Sequence, residues 1–365
     1  QVMAMTATPR GTGLKVFGLD AEDRAHPVLR RRLEAKRIVE LRQGGSLVAA
    51  AHELLDDGAR RLAVVCNTVR QARRTFEAIK HADKHLLIGR QRPLDRDRIM
   101  TDLLPRVQSG SPLSAPLVVV ATQCIEAGAD FDFDAMVAEV CPIDALRQRL
   151  GRLDRLGVAG ESRCILIAPD QLDEVMPYGT APRETWRWLS KQANRRRVDL
   201  GAEGWAALAE TVPEAARSAR PMPVTFLEPH LRMLARTSPR PRVEPDVDLL
   251  LHGPGRLPGD VSVVWRADVD AGNAAASSEI LRLVPPTAFE ACQVPLWEFR
   301  AWLQDEPLDA DAGDVEGAVE PGFRSRVQST RQAPRVLRWE GMEDGAVSID
   351  PGQLKPGDVI VLPSA

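Results

Sequence analysis

The sequence predicts an α/β fold: a parallel sheet flanked by helices, followed by a smaller β-containing C-terminal domain. Three observations predict it. From residue 60 to 168, short apolar runs alternate with helical patterns. The runs are apolar almost without interruption, as strands are when helices cover both faces of a sheet. The polar residues of this stretch gather just after the runs, where ligands bind to parallel sheets.

The elements follow in order. "RLAVVCN" (61–67) reads as a strand, followed by a helix over 69–80. "HLLIG" (85–89) is a second strand, with a helix over 94–108 after it. "PLVVVAT" (116–122) and "FDAMVAEV" (133–140) are the third and fourth. A helix then covers "DALRQRLGRL", and "RCILIA" (163–168) is the fifth strand. Strand–helix alternation of this kind argues for a parallel sheet. Beyond 168 the pattern weakens. "RETWRWLSKQANRRRVDL" (183–200) reads as a basic helix, and the proline-rich "PMPVTFLEPHLRMLARTSPRPRVEPDVD" as a linker. Strands are expected at 261–269, 335–341 and 358–363, a helix at 296–304 and an acidic loop at 308–322. The expected division is a tail and linker over 1–35, the α/β domain over 36–200, a linker over 201–260 and the C-terminal domain over 261–365.

The 365 residues suit two or three domains, and 44% hydrophobic content is enough to build their cores. A formal net charge of −3 excludes a generally basic nucleic-acid coat protein, while leaving room for a local basic groove. The 5 cysteines form no C-x-x-C pair and sit in apolar runs such as "AVVCNT" and "SRCILIA". They read as buried, reduced thiols of a cytosolic protein. No apolar run approaches the ~20 residues of a membrane span, and no signal peptide is visible. Residue 1 opens inside an apparent strand, "QVMAMTATP", so the chain is expected to begin within a fold.

Residues 148–155, "QRLGRLDR", fit Q-x-x-G-R-x-x-R with Gln148, Gly151, Arg152 and Arg155 in the fixed places. If helical, the arginines sweep one arc of about 120°. Arginine suits a phosphate because its planar fork donates two parallel hydrogen bonds. Gly151 would let another backbone approach closely. The competing reading is a solvated basic helix face. Upstream, "VVVATQCIEAGADFDFD" (118–134) ends a strand in Thr122, followed by Glu126, Gly128 and Asp130. A hydroxyl at a strand end can hold a nucleic-acid phosphate, and Asp130 can orient a ribose or a water; an ordinary acidic turn is the alternative. "VVCNTVRQA" ends a strand in Asn67 and Thr68, which could equally cap the next helix. "LLIGRQRPLDR" supplies Arg90, Arg92 and Arg96, either a channel for a nucleic-acid backbone or an exposed basic loop. "MTATP" places Thr6 and Thr8 after a strand.

In this order the motifs resemble motifs III to VI of superfamily 2 helicases. In detail they resemble the helicase–nuclease of type I CRISPR systems, whose "ATQ-x-IEAG-x-DFDFD" and "QR-x-GR-x-x-R" runs stand here at 121–134 and 148–155. The resemblance covers roughly residues 1 to 170. It implies a second RecA-like domain that clamps ATP and a single strand of DNA against a first. By that resemblance Arg152 and Arg155 reach the γ-phosphate and Gln148 helps couple it to the strand. Gly128 and Asp130 lie near the nucleotide, while Asn67, Thr68, Arg90 and Thr122 face the DNA backbone. Thr6 and Thr8 link nucleotide state to DNA grip. The family's cytoplasmic, prokaryotic setting and CRISPR surveillance-complex partner follow from the same resemblance.

The departures are as definite. The sequence contains no G-x-x-x-x-G-K-[ST] phosphate loop and no D-E-x-[HD] run for magnesium. None of the histidines is followed by Asp, as a histidine–aspartate nuclease centre would require. The chain is therefore expected to carry one half of an ATPase and no nuclease, with ATP and Mg2+ held mainly by the missing half. Two other readings stay open: a general superfamily 2 helicase acting on RNA or DNA, and a non-catalytic fragment docking on a surveillance complex or inhibitor.

Overall fold

The computed structural model describes residues 18–112, 115–126, 130–219, 227–235, 259–270, 272–304 and 335–364. The chain divides into two compact units. The first holds most of residues 1–218, and the second holds Arg90–Leu94 and most of the remainder.

The first unit is built on a seven-stranded sheet in the order β3-β4-β2-β5-β6-β1-β7. Its strands are β1 (Lys36–Gln43), β2 (Arg61–Val65), β3 (Lys84–Leu87), β4 (Leu117–Ala121), β5 (Ala135–Glu139), β6 (Glu161–Ala168) and β7 (Arg197–Asp199). Strands β1 to β6 pair in parallel; only the short edge strand β7 is antiparallel. Helices α1 (Ala21–Ala25) and α2 (Pro27–Glu34) precede the sheet, and α3 (Leu47–Asp56), α4 (Val69–Ala78), α5 (Pro93–Val107), α6 (Ile143–Leu150), α7 (Ala181–Gln192) and α8 (Ala202–Leu208) follow its strands.

The continuous apolar runs are explained by side chains alternating between two covered faces. Ala63 and Val65 of β2, with Leu117, Val119 and Ala121 of β4, pack on the face covered by Leu103 of α5, Leu146 of α6 and Leu189 of α7. Their neighbours Leu62, Val64, Val118 and Val120 pack on the opposite face, under Leu47, Ala50 and Leu54 of α3 and Ala72 of α4.

Three expectations change. Strand β1 was not anticipated, because "KRIVELRQ" interrupts its apolar residues with charge; Glu40 and Arg42 are satisfied by ion pairs within the unit. The basic helix expected over 183–200 ends at Gln192, and Arg195 and Arg196 adopt positive φ before β7. Residues 202–218 are not linker: α8 and two short 3₁₀ turns belong to the first unit, where Thr185 donates to Ala216 O at 3.0 Å and Trp188 to Thr211 Oγ1 at 3.0 Å.

The second unit contains a five-stranded sheet, β11-β10-β12-β8-β9, of β8 (Asp260–Arg266), β9 (Cys292–Pro295), β10 (Val336–Gly341), β11 (Gly345–Ile349) and β12 (Val359–Pro363). It also carries α9 (Glu228–Leu234), α10 (Ala274–Leu283) and α11 (Leu296–Leu303). Three of its strands and α11 match the expected elements. The acidic loop expected over 308–322 lies outside the described residues. All five cysteines are free, and no helix among the described residues is long and apolar enough to cross a membrane.

Candidate functional site at the strand carboxyl ends

Strand β2 is flanked by β4 on one side and β5 on the other. The chain leaves β2 toward β3 and leaves β5 toward β6, so the carboxyl ends of β2 and β5 mark a switch point where a crevice forms. Asn67 after β2 and Val140 after β5 meet there, with Asn67 Nδ2 donating to Val140 O at 2.8 Å. A cleft of about 410 Å³ opens beside them, lined by Ser46, Asn67, Gln71, Glu139 and Pro169 among others.

Arg149 occupies the centre. Its side chain is 0% exposed. Nε donates to Glu126 Oε1 at 2.9 Å, one terminal nitrogen to Glu139 O at 3.1 Å, and the other to Asn67 Oδ1 at 3.0 Å and Tyr178 Oη at 3.3 Å. Such complete pairing is what a buried guanidinium requires. Burial pushes the Glu126 carboxyl upward, and the adjacent Arg149 charge opposes that push. Burial likewise pushes the Tyr178 phenol up. Arg147 and Arg149, outside the fixed places of the motif, have different surroundings. Arg149 is the buried junction, and Arg147 lies 4.2 Å over the Trp205 ring.

The arginines also do not share one helical arc. Helix α6 ends at Leu150, and residues 151–156 form turns. Gly151 caps the helix in the right-handed region, where a side chain would meet only the carbonyls of its own last turn at 3.2 and 3.4 Å; no other backbone approaches it. Arg152 turns back onto the Gln123–Ile125 3₁₀ turn. Its Nε donates to Ile125 O at 3.1 Å and its terminal nitrogen to Glu126 O at 2.8 Å. Arg155 pairs with Asp130 at 3.2 Å, and its backbone N–H donates to Asp132 Oδ1 at 2.7 Å. Asp130 also accepts from Ser109 Oγ at 3.2 Å. Gln148 is half-buried on the last turn of α6. Arg152, Arg155 and Asp130 thus form one group, with Glu126 joining it to Arg149.

The residues expected to face DNA are placed differently. Every polar group of Asn67 is engaged: its N–H with Glu139 Oε2 at 2.7 Å, its carbonyl with Gln123 Nε2 at 2.7 Å, and its amide with Val140 and Arg149. Thr68 is the N-cap of α4, its side chain accepting from Gln71 N at 3.3 Å. Thr122 is fully buried, and its N–H donates to Leu87 O at 3.1 Å. Arg90 groups with the second unit, where it lies 3.8 Å from Glu298. Gly128, Thr6 and Thr8 lie outside the described residues. Among the described residues no three or more His, Cys, Asp or Glu side chains are grouped so as to hold a metal ion.

The first unit is a mainly parallel α/β domain whose arginines cluster on and just after α6. Residues 58–157 match the family described as "CRISPR-associated nuclease/helicase Cas3, C-terminal". The CRISPR-associated helicase Cas3 of Thermoproteus tenax is 32% identical over 100 residues, which cover 27% of this chain and 17% of that protein. The CRISPR-associated nuclease/helicase Cas3 of Streptococcus thermophilus is 33% identical over 107 residues, 28% of this chain and 11% of that protein. Among solved structures, T. fusca Cas3-ADP overlays 73% of this chain and 36% of its own with a TM-score of 0.47 and 18% identity. Residues 58–157 are thus similar to the C-terminal helicase portion of Cas3 proteins, and the matched stretch spans less than a fifth of those relatives' length.

Proposed function

We propose that the first unit is the second RecA-like half of an ATP-dependent translocase on single-stranded DNA, serving CRISPR interference. The observation that carries this reading is the group formed by Arg152, Arg155 and Asp130, joined through Glu126 to the buried Arg149. Two guanidinium groups on one turn, each only partly buried, suit the γ-phosphate of a nucleotide. The donor set fits only that end of ATP. The sequence has no phosphate loop, so the remaining phosphates and Mg2+ would be held by another domain. Bound ATP supplies the phosphoanhydride whose cleavage drives movement. Arg152 is held for this by two carbonyls, and Asp130 orients Arg155. The buried Asn67, Thr122 and Arg149 support the crevice, while a DNA strand would pass over it.

The test joins this chain to a domain that carries the phosphate loop. DNA-stimulated ATPase is expected in the joined protein and no turnover in the chain alone. Arg152→Ala should lower kcat by about two orders of magnitude or more. Near-wild-type turnover of that variant would remove the role given to Arg152. Greater stimulation by RNA than by DNA would favour a general superfamily 2 helicase instead. A surveillance-complex partner follows from the sequence resemblance alone; binding of such a complex by the chain with no ATPase in the joined protein would favour the docking reading.

A further inference from the structure

The turn that carries Arg152 and Arg155 is gripped from a second direction, by the segment that precedes the sheet. Arg37 at the start of β1 sends Nε to Leu153 O at 2.8 Å and a terminal nitrogen to Asp154 O at 3.3 Å. Arg31 of α2 sends Nε to Leu156 O at 3.0 Å. Three carbonyls of the 153–156 turn are thus bound by two guanidinium groups from 27–37, over a hundred residues earlier. Gly157 completes the contact. It has φ +67°, and a Cβ there would stand 2.6 Å from Arg31 O.

On its other side the turn is stitched to the 131–133 segment. Phe133 N donates to Arg152 O at 2.8 Å, Asp154 N to Phe133 O at 2.9 Å, and Arg155 N to Asp132 Oδ1. Asp154 is held at φ +41°, in the left-handed region that non-glycine residues rarely occupy. Such a conformation persists only where surroundings over-determine it. The contacts to its carbonyl and N–H supply that determination. Burial pushes the Arg37 guanidinium below its ordinary value, and Asp154, Asp132 and Asp199 oppose that push.

We propose that Arg37 is a positioning residue for the arginine pair, holding the 153–157 turn, with help from Arg31, so that Arg152 and Arg155 point from a fixed backbone. This rests on the nucleotide-facing role proposed for those two arginines. Without Arg37 the Leu153 and Asp154 carbonyls lose their donor and Asp154 is free to leave its strained conformation. Both arginines, one residue away on either side, then move.

The test uses the joined protein and DNA-stimulated ATPase. Arg37→Ala should lower kcat about tenfold, short of the ~10²-fold that a full ångström of misplacement can cost, with KM for ATP changed by less than about twofold. Arg37→Lys should recover part of the loss, because an ammonium can serve one of the two carbonyls. In an Arg152→Ala background the effect of Arg37→Ala should shrink to about threefold, the part that acts through Arg155, as expected of residues acting through one another. A general loss of folded protein would instead cost the same factor in both backgrounds, which would overturn the proposal. So would unchanged kcat in Arg37→Ala when Arg152→Ala loses its two orders. Should Arg37→Ala fail to fold, the exposed Arg31→Ala asks the same question: about threefold lower kcat, again smaller in the Arg152→Ala background, supports the clamp, and no change overturns it. Unchanged turnover in Arg152→Ala would sink the parent reading and the clamp together.

Discussion

Arg149 is the residue on which the first unit depends most. A guanidinium at 0% exposure is tolerated because Glu126, Asn67, Glu139 and Tyr178 between them accept from all three of its nitrogens. Removing it leaves the Glu126 carboxylate and Asn67 amide oxygen buried without their donor. Arg149→Ala should therefore destabilise the protein by about 3–5 kcal/mol, the usual cost of breaking a buried pair. The midpoint of urea unfolding measures this, and a loss below about 1 kcal/mol would contradict the hub described here. The spacing Q-x-x-G-R-x-x-R marked Arg152 and Arg155 in the sequence. It could not mark Arg149, because nothing local tells a buried arginine from a solvated one. The signal available was indirect: Asn67 and Glu126 each follow a strand that a parallel sheet brings to the same edge.

Among the elements, β1 shows how local pattern fails. Its charges are not solvent-facing decoration but part of a network with α3 and β6. Arg42 bonds Glu53 at 2.5 and 2.7 Å, and Arg163 bonds Glu40 at 2.9 Å and Glu53 at 2.6 Å. The Arg42 hydrogen bonds, followed by those of Arg163, hold the Glu53 carboxyl at about 2, below its ordinary 4.5. A depressed carboxylate stabilises the fold above its unfolded value and loses that contribution as pH falls toward the folded one. Thermal stability should therefore decline as pH drops from about 4.5 toward 2. Glu53→Gln should flatten part of that decline in a Tm-against-pH series. The effect is modest because solvent screens a pair this accessible. A decline identical to wild type would show that the network does not act through Glu53. Strands β2, β4, β5 and β6 were legible from their apolar runs, since each is covered on both faces. Helix α7 was over-extended because "NRRRVDL" continues its basic composition, while the positive φ at Arg195 and Arg196 is invisible to composition.

For the whole chain, two units with separate cores are present, and the matched stretch, residues 58–157, belongs to the first apart from Arg90–Leu94. If the joined protein moves along DNA as proposed, its grip rests on phosphates. Affinity for single strands should then fall linearly with log salt, at about −0.7 per phosphate contact, with little preference between base compositions. A titration series from low to moderate salt checks this; a flat response or strong base preference would point to another mode of binding. Apolar runs, strand-end polar residues and motif order were enough to specify the parallel α/β sheet, because period and spacing are properties of neighbouring residues. Which arginine is buried, which turns back onto carbonyls and which segment grips their turn depended on contacts between residues far apart in sequence. Arg149 with Asn67, and Arg37 with Leu153, meet only once the sheet is closed, so their roles are set by tertiary packing.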